Sequence, residues 1–149
     1  FTTIGSLGTG DGQLSIPVSV DFMPDGRHVV VADEGKLRLQ VLATDGGGAT
    51  AYSFTNLRLA DPARAVCVDG NGNIVLATTS DFSNGRVQVF SGVDGSKLLD
   101  KVGGVELRAC SPSGLALDRH TGQLAVIDCL EKIDTAQQTL KEGTRVVLI

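Results

Sequence analysis

The segment Gly85-Arg-Val-Gln-Val-Phe90 has weaker copies on either side, Lys36-Leu-Arg-Leu-Gln-Val-Leu42 and Gly143-Thr-Arg-Val-Val-Leu-Ile149. A stretch that returns with its polar and apolar order kept marks a repeated structural unit, and that constrains the fold before any residue is given a chemical role. Ahead of each copy stand a proline, a short apolar strand, a turn rich in Asp and Gly, and a second apolar strand. The prolines Pro17, Pro62 and Pro112 lie 45 and 50 residues apart, and the turn glycines Gly26, Gly72 and Gly122 lie 46 and 50 apart. That period has the length of one four-stranded sheet.

The second strand of each round, His28-Val-Val-Val-Ala-Asp33, Ile74-Val-Leu-Ala77 and Leu124-Ala-Val-Ile-Asp128, is a continuous apolar run without alternation. Both faces of such a strand are covered, which face-to-face stacking of sheets achieves. Nineteen glycines against one tyrosine, one methionine and no tryptophan fit many tight turns with small aliphatic filling. The expected fold is all-β, and a repeat of 40 to 50 residues with four strands is the signature of a β-propeller blade. The chain reads as three repeats, approximately 1–49, 50–96 and 97–149. Strands are expected near Phe1–Ile4 and Ala51–Phe54, and the glycine-rich 5–14 is expected to hold no regular element.

These residues resemble the NHL repeat family, whose blade runs through a proline, an apolar strand, an Asp/Gly turn, a Val-Ala-Asp strand and then Arg-Ile-Gln-Val-Phe. The matching positions are Pro17 to Gly26 with Val31-Ala-Asp33 and Arg38-Leu-Gln-Val41, then Pro62 to Gly72 with Arg86-Val-Gln-Val-Phe90. The third set is Pro112 to Gly122 with Val126-Ile-Asp128 and Arg145-Val-Val147. The loop Gly8 to Leu14 also resembles the family's linker before the proline. Departures are Thr78-Thr79 where the aspartate should stand and a fifteen-residue insert, Cys129 to Gly143. The resemblance implies a six-bladed ring of which this chain would supply three blades. The rest would come from the remaining blades of a parent chain or from a second copy, with the parent chain the preferred expectation.

Asp33 with Arg38, and Asp128 with Arg145, stand at adjoining strand ends and are expected to form repeating structural ion pairs. Arg86 lacks the matching aspartate, so Asp81 or a threonine hydroxyl is expected to serve it. A catalytic role fits poorly, because catalytic carboxylates come singly while these recur with the repeat. Asp69-Gly-Asn-Gly-Asn73 resembles the start of a calcium loop, yet Ile74 stands at the sixth position and Ser80 at the twelfth, so it reads as a hairpin turn. His28 and His120 fall near turns. A metal-dependent lyase or lactonase would need His and carboxylate groups converging from first-strand ends such as Ser19, Arg64 or Ser113, and none stand there. No catalytic, cofactor or metal residue is assigned.

The net charge of −4 opposes a general attraction to nucleic acid. On the loops where propellers of this kind bind, six cations (Lys36, Arg58, Arg64, Arg108, Lys132, Lys141) face eight acids (Asp11, Glu34, Asp61, Asp81, Glu106, Glu131, Asp134, Glu142). That balance argues against the single-stranded RNA binding known for some NHL propellers, although Arg58 and Arg64 could form a local patch. In the insert, Ile133, Ala136 and Leu140 stand at i, i+3 and i+7, which predicts a short amphipathic helix with Lys132 beside it. It would either pack on its own blade or dock a partner. The candidate partner-binding set is therefore Arg58, Arg64, Arg108, Lys132, Ile133, Ala136 and Leu140.

Cys67, Cys110 and Cys129 are too few for a secreted disulfide framework and favour a reducing, cytoplasmic compartment. Cys110 and Cys129 lie at one end of a hairpin, where two buried thiols are expected, with a disulfide only if their Cα atoms come within about 7 Å. No apolar run approaches the roughly 18 residues of a spanning helix. The reading is a binding scaffold for a protein or peptide without chemistry of its own. A propeller enzyme, a lyase or lactonase-like hydrolase with its reactive groups on other blades, is the alternative, and single-stranded RNA binding is the second.

Overall fold

The computed structural model describes residues 3–46, 56–80, 85–102, 111–134 and 139–148. Thirteen strands are present among them: β1 Ser6–Leu7, β2 Gln13–Leu14, β3 Pro17–Phe22, β4 His28–Asp33, β5 Arg38–Ala43, β6 Asn56–Arg58, β7 Ala63–Val68, β8 Ile74–Thr78, β9 Arg86–Phe90, β10 Lys97–Val102, β11 Ser111–Leu117, β12 Leu124–Asp134 and β13 Thr139–Leu148. One 3-10 turn, Glu34–Lys36, joins β4 to β5. Pairing gives two four-stranded antiparallel sheets in sequence order, β3-β4-β5-β6 and β7-β8-β9-β10, and a three-stranded sheet β11-β12-β13.

Each sheet opens with the same hairpin because the same local chemistry recurs. The connecting turns place Gly26, Gly72 and Gly122 at φ of 66°, 86° and 75°, the left-handed region that costs a glycine nothing. An aspartate at the start of the second and third turns accepts the amides that follow it. Asp69 Oδ1 takes the N–H groups of Asn71 (2.9 Å) and Asn73 (2.8 Å), and Asp118 Oδ1 takes that of His120 (2.8 Å). Such turns reverse the chain without help from neighbours.

The middle strands are where the sheets meet. All six residues of β4 and all five of β8 are buried, as expected for strands covered on both faces. One core joins the first sheet to the second through Met23, Val30, Ala32, Leu39 and Val41 against Ala63, Val66, Val68, Ile74, Leu76 and Phe90. The other joins the second to the third through Cys67, Val75 and Val87 against Leu124 and Val126. Side chains of the second sheet thus alternate between the two cores, as the two-residue period of a strand requires. Where the turns of the stack meet, a side chain at Gly92 would collide with the Gly72 carbonyl, so only glycine fits.

Two sequence expectations change, for the glycine-rich segment and for the insert. The glycine-rich segment does hold pairing: Ser6 and Leu7 run parallel to Gln13 and Leu14, because positive-φ glycines at 5, 8 and 12 let the chain double back on itself. The fourth strand of the first sheet is Asn56–Arg58; the expected strand at 51–54 lies outside the described residues.

The described residues of the insert are strand, not helix. They lengthen the β12–β13 hairpin, whose register runs on through Cys129↔Thr144, Lys132↔Lys141 and Ile133↔Leu140 to Asp134↔Thr139. Three apolar positions carry little periodic information. Once Val126 to Asp128 are in register with Arg145 to Val147, each further residue adds pairing at a small cost in loop entropy. Ala136 lies outside the described residues.

Candidate functional site

The repeat motif proves to be a clamp. Arg38 Nε donates to Asp33 Oδ2 at 3.1 Å, with both side chains buried. The remaining polar atoms of the pair reach across to the glycine-rich segment. Arg38 Nη1 donates to the Thr9 carbonyl (3.0 Å) and Nη2 to the Gln13 carbonyl (2.6 Å). Asp33 Oδ1 accepts the N–H groups of Ser15 (3.1 Å) and Ile16 (2.8 Å). Gln40, two residues on and on the same face of β5, donates Nε2 to the Gln13 carbonyl (2.6 Å) and accepts the Gly12 N–H (3.0 Å). The Asp-Arg-Gln set therefore spends its hydrogen-bonding capacity on holding residues 9–16 against the first sheet.

The second sheet uses a different donor set. Thr78 faces Arg86 across the β8–β9 ladder where Asp33 faces Arg38. A carboxylate near Arg86 is that of Asp61, 3.7 Å from Nη1; Asp81 lies outside the described residues. In the third sheet the β12–β13 register sets Asp128 opposite Arg145, and Asp128 is fully buried.

A second polar tie crosses the sheets at their inner strands. Ser19 Oγ accepts the Val66 N–H (3.0 Å) and Asp21 Oδ2 accepts the Val68 N–H (2.8 Å), which stitches β3 to β7. Arg119, in the β11–β12 turn, donates Nη2 to both oxygens of Asp21 at 3.0 Å and Nε to the Val68 carbonyl at 3.2 Å. Elements of all three sheets converge there. Sequence reasoning missed this pair, since nothing local links Asp21 to Arg119, 98 residues apart.

Other singled-out residues bond within their own hairpins or lie at the surface. Both carboxylate oxygens of Asp69 bond within its own turn, Oδ2 taking the Asn73 side-chain amide at 2.9 Å. His28 Nδ1 lies 2.6 Å from Asp25 Oδ2 within its hairpin, and His120 is exposed. Asp118 is held below the usual carboxylate range by the Thr121 hydroxyl and the His120 amide. Among the described residues, no three His, Cys, Asp or Glu side chains converge as a metal site would require.

Of the candidate partner-binding residues, Arg64 is exposed and pairs with Glu34 at 3.0 Å across the first two sheets. Arg58 is exposed and lines a cavity of about 260 Å³ with Thr9, Asp11, Lys36 and Arg38. Lys132, Ile133 and Leu140 stand on the extended hairpin; Arg108 and Cys110 lie outside the described residues.

Cys67 is buried between the second and third sheets, and its thiol is pushed up to about 12, by burial first and by the Asp21 carboxylate second. A free thiol titrates at about 8.5, so unfolding gains favourable ionisation as pH rises between these values, and the stability contributed by the protonated thiol is lost there. At pH 8 we expect iodoacetamide to label Cys67 only in denaturant, read by peptide-resolved mass spectrometry. Labelling of the native chain at the rate of a free thiol would contradict the buried placement.

Three inner strands side by side, each starting an antiparallel sheet whose faces stack on the next, decide the architecture. The fold is propeller-like. Neither a family model nor a curated protein matches the sequence. Similar solved structures include hydrazine synthase from Kuenenia stuttgartiensis, at 14% identity over 88% of this chain and 37% of that one, with a TM-score of 0.60. The calcium-binding protein regucalcin from Agrobacterium tumefaciens matches at 21% identity over 90% and 48%, TM-score 0.56. A luciferin-regenerating enzyme matches at 16% identity over 92% and 46%, TM-score 0.58. The chain spans less than half the length of these propeller-type proteins. At such identities the likeness concerns the fold alone.

Proposed function

We propose that the chain forms three blades of an NHL-type propeller, half of a six-bladed ring, and serves as a non-catalytic scaffold that binds a protein or peptide. The observation that carries this reading is the clamp of Asp33, Arg38 and Gln40, whose polar atoms are committed to the protein's own loop. With the repeated charged motif occupied structurally, the exposed loops that it holds are left to make external contacts. Arg64, exposed on a first-strand end where it pairs with Glu34, is one side chain placed for that purpose.

Ring completion is supported by apolar side chains left open at both ends of the stack. Val20 and Phe22 on β3 are 60% and 54% exposed, and Ile127 and Val146, opposite each other on β12 and β13, are 43% and 64% exposed. Further blades with aliphatic faces would cover both. Because a luciferin-regenerating enzyme shares the fold, the alternative is a segment of a propeller enzyme whose reactive groups lie on other blades.

A peptide array probed with the 149-residue chain and its Arg64→Glu variant tests the scaffold reading. We expect discrete peptides to be retained by the parent chain and lost by the variant, with far-UV circular dichroism unchanged. Turnover of lactone substrates by this chain alone, or retention indifferent to Arg64, would overturn it.

A further inference from the structure

The cavity beside the clamp has an electrostatic peculiarity. Arg58 on β6 stands directly across the ladder from Arg38 on β5, and like charges directly opposite one another on adjacent strands are destabilising. Lys36, at the end of the turn before β5, lines the same cavity, so three cationic side chains and the single carboxylate of Asp11 surround about 260 Å³. Arg38 is offset by Asp33. Among the described residues, neither Lys36 nor Arg58 pairs with a carboxylate. This cationic pocket sits on a chain whose net charge is −4, so it does not follow from a general excess of base.

The walls are also fixed in advance. Thr9 is held through its carbonyl by Arg38, and its N–H donates to Gln13 Oε1 at 3.1 Å. Gly12 is held by Gln40. Between the two cationic residues Lys36 and Arg38, Leu37 takes the left-handed conformation with φ of 49°. A bulky residue rarely adopts it, and such backbone strain clusters where a site requires a set geometry.

We propose that this cavity, lined by Thr9, Asp11, Lys36, Arg38 and Arg58, binds a small doubly charged oxyanion, a phosphate monoester in class. Arg38, whose Nε, Nη1 and Nη2 are held by Asp33, Thr9 and Gln13, contributes fixed positive charge to the cavity wall. Lys36 and Arg58 approach from separate elements and supply the mobile charges, a guanidinium fork and a point ammonium, that suit phosphate oxygens. Bound anion would offset the Arg38–Arg58 repulsion, so binding and local stability are coupled. The cavity exceeds a phosphate group in size, which leaves room for an organic body, and Asp11 would favour hydroxyl or amine donors on that body. The inference does not rest on the scaffold reading, because the anion can bind whether or not a peptide docks at Arg64.

Inorganic phosphate titrated into the 149-residue chain at constant ionic strength, followed by amide NMR, provides the test. We expect saturable shifts at Thr9, Lys36 and Arg58, with succinate much weaker, and an affinity reduced about tenfold by Arg58→Gln and again by Lys36→Gln. Both residues are exposed, and circular dichroism monitors the fold. Shifts that grow without saturating, that both variants leave unchanged, or that saturate for succinate but not phosphate would overturn the proposal. Should a variant fail to fold, the parent chain decides. Its melting temperature should rise in phosphate relative to chloride of equal ionic strength, and no rise would refute the site.

Discussion

Replacing Asp33 with alanine is expected to lower the unfolding free energy by about 3–5 kcal/mol, because it leaves the buried Arg38 guanidinium without its carboxylate. The same change removes the acceptor for the Ser15 and Ile16 amides, so residues 9–16 should lose hydrogen-exchange protection ahead of global unfolding. Urea denaturation measures the first effect. The double variant Asp33→Ala/Arg38→Met separates two accounts of it. If the cost comes from a stranded charge, the double variant should be the more stable of the two, since it buries no ion. If it comes from the lost loop contacts, the double variant should be no better, because Arg38 also holds the Thr9 and Gln13 carbonyls.

Leu76→Ala is expected to cost about 2–5 kcal/mol, the range for opening a cavity in a packed interior. Leu76 is fully buried on β8, in the core that joins the first two sheets. The β8 ladder would remain, while the stacking of one sheet on the next would weaken. Val93→Ala provides the contrast: Val93 is 74% exposed, and removal of its methyl groups should stay within about 0.5 kcal/mol. Comparable losses at the two positions would mean that Leu76 does not sit between sheets.

The sheets were legible in the sequence because their signals are local. A proline, an Asp/Gly turn and an unbroken apolar run fix each hairpin within about twenty residues, and the period of the run shows that both faces are covered. The Asp33–Arg38 pairing was legible for the same reason, five residues apart across one turn. Its purpose was less so. That the pair grips residues 9–16 depends on a segment more than twenty residues upstream of Arg38, whose glycines conceal a short parallel pairing. The insert misled in another way. Ile133 and Leu140 carry a helical spacing, yet they stand opposite each other in a hairpin whose register is set by Val126 and Val147 below them. Arg58 was legible as a surface cation, but its position across from Arg38 required the β5–β6 register, which no local motif encodes.

The bond between Arg119 and Asp21 also orders events in time. During synthesis Asp21 emerges first and finds the Val68 amide once β7 is made, but its counter-charge is still some fifty residues from being translated. A nascent chain holding only the first two sheets therefore carries a carboxylate at its inner seam that must remain hydrated, and its β3–β7 junction opens more readily. When the β11–β12 turn arrives, Arg119 closes on Asp21 and on the Val68 carbonyl together. Arrival of the third sheet thus locks the junction of the first two, and the cooperativity of the stack is acquired late, in a contact of very high sequence separation.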